Sequence, residues 1–113
     1  MPLRRSSARV RAWLVVVLCA AFSPSAAAAA DCSSQAAALV KDEADLPRID
    51  LVSPVDRPPY CITLETIMAF AGRVKAHVAQ CPTSDFAQRV SAWDQTRTEY
   101  AKLFGKHRCR RTL

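Results

Sequence analysis

From Cys61 to Cys81 the chain reads CITLETIMAFAGRVKAHVAQC, a helical repeat closed at both ends by cysteine. Leu64, Ile67, Met68, Ala71, Val74, Lys75 and Val78 recur at i, i+3, i+4 and i+7, the spacing of one helix face. Phe70 widens that face, as a middle helix with two neighbours requires. Thr63 is the expected N-cap, with Ile62 and Ile67 as a hydrophobic staple. Pro82 stops the helix. The pattern predicts a helix over 64–80, about 25 Å long at about 1.5 Å per residue.

Two further helices flank it. Ser33 to Ala44 forms the first: Ala36, Leu39, Val40 and Glu43 share a thin face, and Pro47 ends it. Ser84 to Phe104 forms the third, capped by Thr83 or Ser84. Phe86, Val90, Trp93, Arg97, Tyr100 and Phe104 make its inward stripe, with Gly105 as the stop. Arg97 is expected to lay its methylenes on the core and keep its charge in water. Between the first two helices lies LPRIDLVSPVDRPPY, residues 46–60. Its four prolines predict an irregular connector, with at most a short edge strand over Ile49–Val52.

Helix length then selects the cysteine pairing. A disulfide holds its Cα atoms within about 7 Å. Cys61 and Cys81 flank one long helix, and Cys81 and Cys109 flank another of about 30 Å, so neither pair can join. Of the three pairings open to Cys32, Cys61, Cys81 and Cys109, only Cys32–Cys81 with Cys61–Cys109 survives. The expected fold is therefore all-α: a small antiparallel three-helix bundle with a proline-rich connector and one staple at each end of the middle helix.

The N-terminus explains why cysteines pair at all. Arg4, Arg5, Arg9 and Arg11 precede an 11-residue apolar run, Ala12–Phe22. Ser23, Pro24 and Ser25 break the run, and an alanine stretch follows. This is the layout of a secretory signal, with Ala28 and Ala30 placed for cleavage before Asp31. The run is well short of the roughly 20 residues that span a bilayer. Leu18 is too large for a lipidation site at Cys19, and Ser6 and Ser7 follow Arg4–Arg5 where a twin-arginine signal needs apolar residues. The expected organisation is a cleavable signal over 1–30 and one stapled domain over 31–113, delivered to the periplasm or secreted, where disulfides persist.

Removing the signal changes the charge. The full chain has 16 Lys and Arg against 10 acids, a net +6. Four of the bases lie in the signal, which leaves 12 against 10, a net +2. Nucleic-acid binding is not expected on that balance. The residual charge is uneven: residues 31–60 carry six acids and three bases, residues 61–113 four acids and nine bases.

Candidate sites are few. Lys102, Lys106, Arg108, Arg110 and Arg111 form a basic cluster suited to an anionic lipid, an envelope polymer or an acidic protein, and equally to a solvated helix end. His77 and Cys81 lie four apart and could share a metal, but an oxidised Cys81 leaves His77 an ordinary helix residue. A free Cys109 among arginines would be reactive, yet pairing with Cys61 accounts for it. Asp42, Glu43 and Asp45 make an acidic helix end without calcium-loop spacing. Trp93, Tyr100 and Phe104 are expected to pack in the core.

No GxSxG, no paired-carboxylate signature, no CxxC and no glycine-rich phosphate loop occurs. The expectation is a non-enzymatic interaction protein without cofactor, its partner an unidentified protein or an anionic envelope component. The alternatives are an envelope-surface protein held to anionic lipid or polymer by the basic tail, and a metal-handling protein.

Overall fold

The computed structural model describes residues 25–112, with side chains from 31 onward. The signal expected over 1–30 lies outside those residues, apart from helical backbone over 25–30. Residues 31–113 make a compact unit. The described residues form three α-helices, with no strand among them. They are α1 (Ser25–Ala44), α2 (Arg57–Gln80) and α3 (Val90–Lys106). Short 3₁₀ turns precede α2 (Ile49–Leu51) and α3 (Asp85–Gln88).

Both expected disulfides are present. Cys32–Cys81 has a Cα separation of 5.8 Å and Cys61–Cys109 one of 5.4 Å. Their order makes the array antiparallel. Along α1, Cys32 meets Cys81 while Asp42 meets Arg73. Along α2, Cys61 meets Cys109 while Lys75 meets Asp94. By loop-closure entropy, each staple over about 50 residues contributes about 4 kcal/mol.

The middle helix begins seven residues earlier than its apolar repeat suggests. Pro58 and Pro59 occupy its first turn. There a missing N–H costs nothing, because the first four amides of a helix have no internal partner. The extra turns bury Tyr60 and Cys61 and place Thr63 inside the helix, where it is buried and caps nothing. Ile62 is half exposed and staples nothing. The core stripe becomes Tyr60, Leu64, Ile67, Ala71 and Val74, continuing the repeat downward by one step. The expected edge strand is instead the 3₁₀ turn Ile49–Leu51.

Two other faces of α2 are occupied. Thr63, Phe70 and His77 form a second buried row, seven residues apart. Phe70 packs with Leu39, Val74 and Phe86, and Trp93 meets its ring edge-on at 4.9 Å. Cys61 and Glu65 form a third row that receives the C-terminal tail.

The third helix differs in two ways. Its first turn is the 3₁₀ segment, capped by Ser84 Oγ, which accepts from the Phe86 amide. The α-helix itself has no fully buried residue. Trp93, Tyr100 and Phe104 are half buried, so the deep aromatic is Phe86, in the turn. The stop also lies elsewhere. Gly105 is an ordinary helical residue, and Arg108 takes the left-handed conformation, φ 53°. The Arg108 amide donates to the Gly105 carbonyl and the Cys109 amide to the Phe104 carbonyl, which is a Schellman motif. Glycine and arginine are thus transposed relative to the backbone they serve. The double change Gly105→Ala with Arg108→Gly should raise stability by about 1–2 kcal/mol. In thermal unfolding that is a Tm gain of about 5–10 °C for a domain of this size; a lower Tm would contradict the assignment.

Candidate functional site

The staple at Cys61–Cys109 gathers the basic end. After α3 the chain turns at Arg108 and runs back along α2, with Cys109 on Cys61 and Thr112 on Glu65. The buried Glu65 carboxylate accepts from the Thr112 amide at 2.8 Å and from its hydroxyl at 3.0 Å. Arg57, at the start of α2, donates from Nη2 to the Arg108 carbonyl at 2.6 Å. Tail residues 108–112 are therefore tied down at three points.

This geometry brings Lys102, Lys106, Arg108, Arg110 and Arg111 to one end of the domain, all exposed. Two further cations join them. Arg57, Arg108 and Arg110 line one depression of about 320 Å³. Arg97 and Arg111 line a second of the same size beside Glu65. Lys102 and Arg97 line a third together with the Lys75–Asp94 ion pair. By sequence pattern alone, Arg57 falls in the proline-rich connector and Arg97 in the inward stripe of the third helix. The Cys61–Cys109 pairing held the missing signal: it places residue 57 one turn of helix from the tail. The Arg97 guanidinium carbon lies 3.8 Å from the position a Cβ would take at Gly72, so the charged head itself lies over α2.

Ion pairs are unevenly distributed. Arg73 reaches Asp42 at 2.6 Å, Arg89 reaches Glu43 at 2.7 Å, Lys75 reaches Asp94 at 3.3 Å and Arg48 reaches Asp50 at 2.7 Å. Arg73 and Arg89 thus neutralise two of the three acids that close α1. Among the described residues, none of the seven cations of the basic end makes such a pair. The Tyr100 hydroxyl has its pKa raised, chiefly by burial and then by Glu99, Tyr60 and Asp50, so it adds no negative charge there.

His77 is part of the packing. It is 4 % exposed. The Gln35 side-chain oxygen can only accept, so His77 Nδ1–H donates to it, at 2.9 Å. Ser84 Oγ–H then donates to Nε2, at 2.7 Å. The ring also meets Phe86 edge-on. One side chain thereby ties α1, α2 and the turn before α3, and its neighbour Cys81 is in a disulfide. Among the described residues no group of three His, Cys, Asp or Glu gathers as a metal site. No described helix is long and apolar enough to cross a membrane.

No protein-family model matches the chain, and no curated protein or solved structure matches it either.

His77→Ala removes two buried hydrogen bonds and leaves a cavity. Denaturant unfolding should show a loss of about 3 kcal/mol. Stability within about 0.5 kcal/mol of the parent would contradict the bridging role.

Proposed function

We propose that the chain is an exported, non-enzymatic interaction protein that meets an acidic partner or an anionic envelope component through its basic end. Residues 1–30 act as a cleavable signal, and the domain from Asp31 works in the periplasm or outside the cell. Two disulfides support an oxidising compartment. Cleavage before Asp31 would shorten α1 to its last 14 residues, and Cys32 would then hold the new terminus.

The observation that carries the reading is the uneven distribution of ion pairs. Four of the five bases elsewhere in the domain have carboxylate partners, Lys41 being the exception, and the seven at this end have none among the described residues. Crowding like charge costs stability unless another body neutralises it. The fold maintains the crowding with a disulfide, a buried carboxylate and an arginine–carbonyl bond. That combination favours an anion-binding surface over a merely solvated helix end. The binding contribution is electrostatic, so it weakens with ionic strength.

Retention of the oxidised protein on immobilised polyphosphate gives the test. Arg110→Ala with Arg111→Ala should elute at clearly lower salt than Lys41→Ala with Arg48→Ala, although both remove two charges. Equal elution of the two double variants would refute a localised site.

A further inference from the structure

The first depression of the basic end is not uniformly charged. Its apolar lining comes from Pro58, Ile62 and the Cys61–Cys109 disulfide, and its charged lining from Arg57, Arg108 and Arg110. Ile62 is 49 % exposed, and Val55, two residues before Arg57, is 90 % exposed. Pro58 and Ile62 are one helical turn apart on the same face of α2. Pro58, Ile62 and the disulfide are thus set among cations that have no carboxylate partner among the described residues. A hydrophilic polyanion would satisfy the arginines and leave this apolar surface against water. A bilayer surface presents phosphates directly above acyl chains and matches both features at once.

We propose that this end of the domain docks on an anionic phospholipid surface. The guanidinium groups of Arg57, Arg108 and Arg110 engage lipid phosphates, while Val55, Pro58 and Ile62 enter the headgroup–acyl boundary. The proposal rests on the anionic-partner reading and specifies the partner. Guanidinium suits phosphate through its planar fork of donors. The insertion is shallow, through a few side chains at a helix start and its preceding loop. Docking is peripheral and reversible, as expected when a few apolar groups act together with several cations.

Co-flotation of the oxidised full chain with vesicles tests this. Phosphatidylcholine vesicles containing phosphatidylglycerol should carry the protein, and pure phosphatidylcholine should not. Arg110→Ala should weaken vesicle binding about fivefold. Val55→Ser with Ile62→Ser changes no charge and touches only exposed positions. It should weaken vesicle binding about tenfold or more, yet leave elution from immobilised polyphosphate unchanged. Val40→Ser, at a 57 % exposed position on α1, should alter neither. Failure of the parent protein to float with phosphatidylglycerol vesicles would overturn the proposal. So would parent-like flotation of the Val55/Ile62 variant, which would reduce the contact to charge alone. Polyphosphate retention reports on the anionic-partner reading separately, so failure of that reading and failure of the lipid proposal alone are distinguishable.

Discussion

A straight helix cannot be folded back on itself, and that constraint organises this domain. α2 has 24 residues and a length of about 36 Å. No disulfide can bridge its two cysteines, so each must reach out to a different part of the chain. Cys81 takes the start of the region from Asp31 onward, and Cys61 takes its end. The order of the helices, their antiparallel sense and the path of the tail all follow. A domain of about 83 residues has a limited core. The buried apolar residues here are concentrated on α2, with Leu39 from α1 and Phe86 from a turn completing the central cluster. Two covalent links that shrink the unfolded ensemble supply what so small a core does not.

The same constraint segregates charge. The Cys32–Cys81 staple lays α1 against α2 so that Asp42 and Glu43 meet Arg73 and Arg89. The Cys61–Cys109 staple turns the arginine-rich tail onto the first turns of α2, where Arg57 already stands. One region of the domain becomes internally neutralised, and the opposite end of α2 collects exposed cations beside exposed apolar groups. His77 and Glu65, the buried polar residues that could have invited a metal or catalytic reading, serve these two arrangements: the first ties α1 to α2, the second ties down the tail.

Much of the fold was legible because helix periodicity and cysteine spacing constrain each other. Leu64, Ile67, Ala71 and Val74 announced the central helix, and its length alone selected the pairing. The boundaries were less legible, for definite reasons. Pro58 and Pro59 break a helix interior but are harmless in a first turn, and sequence does not say which they occupy. Gly105 looked like a stop because glycine adopts the left-handed conformation most easily. Arg108 takes that conformation instead, held by the Schellman bonds and the adjacent disulfide. Of the candidate site, the five tail cations were visible as a run. Arg57 and Arg97 were not, because their membership depends on contacts across the fold.

The claim on which the rest stands is that the middle helix keeps its two cysteines apart. Trypsin separates the four cysteines into different peptides, so non-reducing peptide mapping of the oxidised protein reads the pairing directly. Linked peptides carrying Cys32 with Cys81, and Cys61 with Cys109, are the predicted result. A peptide pair joining Cys61 to Cys81 would contradict the central helix, the antiparallel order and the assembly of the basic end together.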